Sequence, residues 1–251
     1  MRRLPRTPFS AFLSLLLLPV LTAADKASIP PEPSGEAILA RFVEVSGGES
    51  AIRQKTARLS KGRISLPAMG INGNLEILQA TGGKTVQTFE LGPGIAAAFG
   101  TDGSLAWMNI PGIGVQEMEG DQRRQFMEDV DLFRMIQLGK RFTKTEVKAP
   151  QKLGAVECDV VVGTTKEGKT ETLCFERSTG LLLRWDREML TQTGSWAPGE
   201  TWWEDYRTVD GLKLPFKIRQ PKPESGAFEI EISEIQHGVP TPAEKFKKPG
   251  A

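Results

Sequence analysis

A hairpin signature lies between Thr201 and Arg219, in the stretch TWWEDYRTVDGLKLPFKIR. Its central Asp210-Gly211 pair suits a two-residue type I′ turn, because both central residues of that turn need a positive φ angle. The turn places Val209 opposite Leu212 and so predicts the register of both strands. Alternate residues then fall on an apolar face and on a wet face. A strand with one wet face indicates an antiparallel sheet.

This register assigns each residue of the hairpin to a face. The apolar face receives the pairs Val209–Leu212, Arg207–Leu214, Asp205–Phe216 and Trp203–Ile218. The wet face receives the pairs Thr208–Lys213, Tyr206–Pro215, Glu204–Lys217 and Trp202–Arg219. Asp205 and Arg207 are charged residues on the apolar face, where an unpaired charge is costly. We therefore expect them to pair with each other or with groups at the mouth of a cavity.

Similar alternating runs recur along the chain between Pro and Gly residues, and they predict about 11 strands. Two segments have helical spacing instead. One is GEAILARFVEVSGG near the N-terminus, and the other runs from Asp121 to about Leu138 and carries Phe126, Val130 and Phe133 on one face. A long meander with one apolar face either stacks as a sandwich or curls around an interior, and the mid-chain helix could cover that interior.

The N-terminus predicts an exported protein. Three arginines precede a short apolar run, Ala11 to Leu21, which ends in small residues before Ala24. This pattern is typical of a secretory signal peptide, and the run is too short to favour a membrane anchor. We expect residues 1–24 to be removed, residues 25–34 to form a flexible tether rich in proline, and residues 35–251 to form one domain.

Composition argues against several classes of function. The chain has 32 basic and 31 acidic residues, so nothing favours a nucleic acid as partner. No later apolar stretch is long enough for a transmembrane segment. The single histidine, His237, has no metal-ligand spacing around it, so we expect a surface role for it, with no metal, no cofactor and no catalytic residue.

Two cysteines, Cys158 and Cys174, lie on consecutive predicted strands of an exported chain, which raises the question of a disulfide. Cys158 shares a face with Val156 and Val160, whereas Cys174 lies on the face opposite to that of Leu173. Pairing the apolar faces of the two strands would send the thiols apart, so we expect no bond.

Four segments of the chain resemble the LolA/LolB-like superfamily, the outer-membrane lipoprotein-sorting group of bacterial periplasmic proteins. They are SGGESAIRQKTARLSKGRISLPAMGINGNLEI, TDGSLAW, TLCFERSTGLLLR and DYRTVDGLKLPFKIR. The resemblance implies a mainly β fold: an incomplete antiparallel barrel around an apolar cavity, with N-terminal and mid-chain lid helices. It also implies a periplasmic protein that binds lipid or lipidated protein. We expect the protein to be a monomer. This chain is similar to a larger relative of the carrier, so the carrier's acyl-contacting residues do not transfer by position.

The strand pattern nominates a lining for such a cavity. We expect its wall to present Trp203, Leu214, Phe216, Ile218, Phe228, Ile230 and Ile232, and its lid to present Phe126, Val130 and Phe133, with Asp205 and Arg207 at the mouth. The same side chains could instead fill the interior as an ordinary core.

The leading hypothesis is therefore a carrier of lipid or lipoprotein acyl chains that opens by displacement of the lid. The alternative is a non-catalytic envelope scaffold or sensory domain with an envelope protein partner, which it would contact through Trp196, Trp202 and Tyr206. A hydrolase is the weakest of the three.

Overall fold

The computed structural model describes residues 33–191, 194–222 and 226–250. The predicted signal peptide and most of the predicted tether lie outside the described residues. Within them are four α-helices: α1 (Gly35–Val45), α2 (Glu49–Arg53), α3 (Gly120–Val130) and α4 (Arg134–Arg141). Ser34 caps α1, since its hydroxyl accepts a hydrogen bond from the Ala37 amide. None of the described helices combines the length and apolar character needed to cross a membrane.

The strands form one antiparallel sheet. They are β1 (Ala57–Leu66), β2 (Ile71–Ala80), β3 (Lys84–Gly92), β4 (Ile95–Asp102), β5 (Ala106–Ile110), β6 (Gly114–Glu117), β7 (Phe142–Leu153), β8 (Val156–Thr165), β9 (Thr170–Glu176), β10 (Leu182–Leu190), β11 (Trp196–Val209), β12 (Leu212–Gln220) and β13 (Phe228–His237). The described sheet has 13 strands, two more than the approximate number predicted.

The order of the strands explains why the barrel stays open. It runs β6-β5-β4-β3-β2-β1-β13-β12-β11-β10-β9-β8-β7, so β1 pairs with the last strand, and β6 and β7 are the two edges. The chain joins these edges through α3 and α4. The predicted incomplete barrel is therefore confirmed. Helices α3 and α4 form the connection across its open side.

Apolar side chains pack on the inner face of this sheet in three clusters. The first joins α1 and α4 to β8, β9 and β10, around Phe42, Phe175 and Trp185. The second joins α2 and α4 to β12, where Ile52 and Ile136 contact Leu212 and Leu214. Every member of the third lies on a strand. We call this third group the strand cluster; its buried members are Ile64, Leu75, Phe216, Ile230 and Ile232.

The predicted hairpin register is confirmed. Strands β11 and β12 pair Val209 with Leu212 at the turn and Trp202 with Arg219 at the far end, with the predicted partners between them except for the pair Asp205–Phe216. Asp210 has a φ of 48° and Gly211 a φ of 84°, as a type I′ turn requires. The wet face also behaves as expected, because Arg219 pairs with Glu204 at 2.6 Å and lies over the ring of Trp202.

The predicted orientation of the cysteines was wrong, although both thiols are free, as expected. Cys174 lies opposite Val160 and packs in one buried cluster with Cys158, so the two side chains share a face. The prediction failed because Val160 and Val161 are both buried: β8 is covered on both faces, and alternation cannot tell which face turns inward.

Candidate functional site

Helix α3 spans the open side of the barrel through polar contacts to both arms. The Arg123 guanidinium donates a hydrogen bond to the carbonyl of Ser104, in the β4–β5 turn. The Gln125 side-chain oxygen accepts a hydrogen bond of 2.8 Å from the Leu190 amide, at the end of β10. At the C-terminus of α3, the Val130 carbonyl accepts hydrogen bonds from Gln79 at 2.7 Å and Thr85 at 3.1 Å. The sheet thereby satisfies a helix-terminal carbonyl that has no partner within the helix.

A carboxylate of α3 holds two arginines beneath it. Asp129 lies 2.6 Å from Arg187 of β10 and 3.2 Å from Arg134 of α4. Burial opposes ionisation of Asp129, but Arg187 and Arg134 outweigh it and lower its pKa below the ordinary 3.8. Burial lowers the pKa of Arg134 to about 10, so this arginine remains charged at neutral pH.

A second group of ion pairs surrounds Arg141, at the end of α4. Its guanidinium makes two hydrogen bonds to Glu171 of β9, at 2.8 and 2.6 Å, and one to Glu128 of α3, at 2.6 Å. Burial acts against the charged form, yet these two carboxylates raise the pKa of Arg141. Glu171 also accepts a hydrogen bond of 2.9 Å from the indole nitrogen of Trp185. The buried carboxylate therefore fixes both the arginine and the tryptophan.

The Trp185 ring is the centre of this arrangement. Arg134, Arg187 and Arg141 lie 4.7, 4.9 and 5.5 Å from its centroid. Each distance is within the range of a cation–π interaction. The Trp203 ring packs beside it, with centroids 6.1 Å apart.

A cavity of about 420 Å³ opens at this cluster. Its walls come from α3, α4, β10, the β2–β3 turn and the β8–β9 turn. The lining residues are Gly83, Met127, Glu128, Asp129, Asp131, Arg134, Gln137, Leu138, Lys140, Arg141, Lys166, Glu167, Trp185 and Arg187. Most are charged, so this space differs from the apolar cavity expected from the sequence. We call it the charged cavity.

Two smaller spaces adjoin the charged cavity. One, of about 80 Å³, shares Arg134, Leu138 and Trp185 with it and continues past Phe42 to Trp203. The other, of about 300 Å³, shares Asp129 with it and is lined on the α3 side by Phe126 and Val130. Phe99 of β4, Met118 and Leu190 of β10 supply further apolar surface there.

The predicted lining residues are divided among these regions. Phe216, Ile218, Phe228, Ile230 and Ile232 belong to the strand cluster. Leu214 and Phe133 pack together under α4, and Trp203 joins the cluster beneath α1. Phe126 and Val130 line the 300 Å³ space. None of the predicted set lines the charged cavity itself.

Asp205 and Arg207 form an ion pair with each other at 2.6 Å, and both side chains are about half exposed. Asp205 has a φ of 53°, a left-handed conformation that aspartate tolerates better than most residues, and no bridge partner faces it across the hairpin. Arg207 lies 4.4 Å above the ring of Phe216. The pair therefore covers one end of the strand cluster.

The predicted surface role of His237 was wrong. Its side chain is only 5% exposed, and its Nδ1 atom lies 2.9 Å from Asp210. Burial lowers its pKa below the ordinary 6.5. In the part of the chain that the structure describes, no three acidic, histidine or cysteine side chains come together as a metal site would require.

Sequence reasoning missed the charged cavity. It considered only the apolar face of the segment 121–138, whereas the charged residues Asp129 and Arg134 also turn toward the sheet. One signal was available, because Trp185 and Arg187 lie two residues apart and so share a face of β10. An arginine beside an inward-facing tryptophan indicates that the inner face carries charge.

No protein-family model matches this chain, and no curated protein matches it either. Solved structures do share its fold. A DUF1329 family protein from Desulfovibrio piger superposes with a TM-score of 0.58 at 14% identity, over 84% of this chain and 96% of that one. A LolA superfamily protein from Nitrosomonas europaea gives a TM-score of 0.54 at 13% identity, over 86% and 98%.

A third structure is a candidate outer-membrane lipoprotein-sorting protein domain from Vibrio parahaemolyticus. Its TM-score is 0.52 at 12% identity, over 83% of this chain and 97% of that domain. At these identities the likeness shows the fold alone. The resemblance drawn from the sequence is confirmed at that level, because the chain has the LolA-like fold.

Proposed function

We propose that the protein is a non-catalytic periplasmic carrier or binding protein, which holds an acyl chain of a lipid or lipidated protein against the inner face of its sheet. The strand cluster is the observation that carries the proposal. All of its side chains come from strands, and several members, among them Leu91, Ile218 and Phe228, remain only partly buried. Exposed apolar surface of this kind gains stability when another apolar group covers it.

The energetics of an acyl chain suit such a surface. Burying each methylene contributes about 0.8 kcal/mol, so a chain of ordinary length binds without any catalytic or charged group. Displacement of α3, whose ties to the two arms are mainly polar, would expose further apolar surface at Phe126 and Val130. The signal-peptide pattern supports a periplasmic location, and the LolA-like fold supports lipid or lipoprotein binding.

A fluorescent acyl probe tests the proposal. We expect saturable binding to the delipidated protein, and a weaker affinity in Ile218→Asn, because a polar amide then faces the chain. Ile113→Asn is the matched control, since Ile113 is 60% exposed in the β5–β6 turn, outside the strand cluster. Both variants must melt cooperatively by circular dichroism. Absence of saturable binding to the unmodified protein, or equal weakening in the control, would contradict the proposal.

One observation favours the alternative of an envelope interaction domain. Among the described residues, the exposed large apolar side chains include Met69, Ile95 and Ile113. Met69 and Ile113 lie in the β1–β2 and β5–β6 connections, and Ile95 begins β4 directly after the β3–β4 connection. These three hairpins place their tips at the same end of the sheet. Trp196 begins β11, and the antiparallel order of the strands places the start of β11 at that end too. An interaction domain would use this rim, rather than the predicted surface at Tyr206, whose hydroxyl is bonded to the Leu182 carbonyl.

A triple variant, Met69→Ser, Ile95→Ser and Ile113→Ser, separates the two functions. An interaction domain would lose its partners in cross-linking from envelope extract and keep whatever acyl binding it has. A carrier of the type proposed above would keep acyl binding and copurify with lipid rather than with one stoichiometric protein.

A further inference from the structure

We infer that the charged cavity binds the zwitterionic headgroup of a phospholipid, one that carries a phosphate and an ammonium group. The inference rests on the proposed function, because a chain of that lipid would reach the strand cluster through the 300 Å³ space, whose Phe99 packs against Phe89 of that cluster. It names the class of ligand, which neither the fold nor the strand cluster determines.

The lining of the charged cavity carries both signs of charge. The cations are Arg134, Lys140, Arg141, Lys166 and Arg187, and the carboxylates are Glu128, Asp129, Asp131 and Glu167. An anionic ligand would pair with the first set and repel the second. A ligand with both charges can satisfy both sets, and an unpaired charge in a partly buried site is costly.

One ion pair in the lining of the charged cavity, Glu128–Arg141, includes a partly exposed carboxylate. Glu128 and Arg141 are 2.6 Å apart, but the Glu128 side chain is 44% exposed. The Arg141 side chain is 23% exposed, so the carboxylate is the more solvated partner and the easier one to move. The phosphate of the ligand could bind Arg141 while the ammonium group replaces Arg141 as the partner of Glu128. Neither side chain would then lose a partner. A ligand with one charge would leave one of them unpaired.

The remaining contacts keep the site in position during this exchange. Arg141 retains its two hydrogen bonds to Glu171, whose side chain is only 4% exposed. These bonds orient the guanidinium so that its remaining N–H groups can face a phosphate. Arg187, paired with Asp129, stays in the wall.

Apolar surface adjoins the charged cavity on two sides. The 80 Å³ space begins at Arg134 and Trp185 and leads to Trp203, and the 300 Å³ space begins at Asp129 and leads to Phe99. A headgroup in the charged cavity therefore has apolar side chains on two sides. An amphipathic molecule fits this arrangement better than a free polar metabolite, whose binding would leave those apolar walls uncovered.

The experiment compares two water-soluble lipids with the same short chains, dihexanoyl phosphatidylethanolamine and dihexanoyl phosphatidylglycerol, by titration calorimetry on the delipidated protein. We expect tighter binding of the ethanolamine lipid. Glu128→Gln removes the partner of the ammonium group, so its affinity for that lipid should fall about tenfold, the value for one charged hydrogen bond. The same variant should lose the preference over the glycerol lipid.

Asp121→Asn is the control, because Asp121 lies on the same helix and pairs only with Arg124 at the surface. It should bind both lipids as the unmodified protein does. Equal affinity for the two lipids, or an unchanged preference in Glu128→Gln, would overturn the inference. If a fluorescent acyl probe still binds in that case, only the headgroup inference is overturned and the carrier function stands. If the probe does not bind either, the carrier function is contradicted as well.

Discussion

Arg187 of β10 lies 2.6 Å from Asp129 of α3, and this contact ties the mid-chain helix to the sheet across the open side of the barrel. The Arg187 side chain is only 6% exposed. Its charge therefore depends on the carboxylate for compensation. The same carboxylate holds Arg134, so one residue of the helix organises both arginines.

Asp129→Asn should release α3. Loss of the carboxylate leaves a nearly buried arginine without its partner, at a cost of about 3 kcal/mol. Hydrogen–deuterium exchange should then be faster for α3 amides than for those of β1 or β13. The control is Asp121→Asn, which removes an exposed pair and should change stability by less than about 0.5 kcal/mol. Unchanged exchange in α3 would mean that the helix is held by other contacts.

Leu214→Ala should destabilise the protein without affecting the charged cavity. Leu214 of β12 is 2% exposed and packs against α4. Its truncation therefore leaves a void that lowers the free energy of unfolding by about 2–5 kcal/mol. Urea unfolding measures this loss. Ile113→Ala, at a position 60% exposed, should shift the midpoint very little. A small loss of unfolding free energy in Leu214→Ala would show that α4 does not pack firmly on the hairpin. It would then favour a lid in which α4 moves together with α3.

The buried histidine predicts a dependence of stability on pH. Burial lowers the pKa of His237 below 6.5, so the unfolded chain takes up a proton near that pH while the folded chain does not. The free energy of unfolding should thus be highest above about pH 6.5 and should fall as the pH is lowered from there. The neighbouring charges are Asp210, Arg58 and Lys55; Asp210, whose pKa is lowered from 3.8 by its bond to His237, stays ionised through this range.

His237→Gln removes the titrating group and should flatten the dependence between pH 7.5 and 5.5, as measured by urea midpoints. Lys245→Gln, a surface substitution near the C-terminus, should keep the slope of the unmodified protein. A stability that rises on acidification over this interval would contradict the assigned direction of the pKa shift.

The cysteines should be unreactive until the protein unfolds. Burial raises the pKa of Cys174 to about 11 and also raises that of Cys158, and the thiolate is the reactive form. Ellman's reagent at pH 8 should therefore label neither thiol in the native protein and both after denaturation without reductant. Rapid native labelling would contradict the burial, and absence of labelling after denaturation would indicate a disulfide.

The hairpin shows why part of this fold could be predicted. Asp210-Gly211 determines one turn type, the turn determines the register, and the alternation of β11 and β12 assigns each side chain to a face. The same reasoning fails for β8, because Val160 and Val161 are both buried and the period of two selects neither face.

The charged cavity could not be predicted for a different reason. Asp129 and Arg187 are 58 residues apart, and Arg141 and Glu171 are 30 apart. Local patterning carries no information about which distant charges will meet. On a single helix, an acidic residue that pairs with a distant strand has the same local sequence pattern as an acidic residue that faces water.

Native mass spectrometry of the protein, purified gently from the envelope of its own host, tests the acyl-binding account most directly. The account predicts a population heavier than the polypeptide by the mass of one lipid or acylated molecule, which collisional activation removes. The Ile218→Asn variant should carry less of it than the Ile113→Asn control. A spectrum that contains only the bare polypeptide, and that stays unchanged after incubation with envelope lipids, would contradict it.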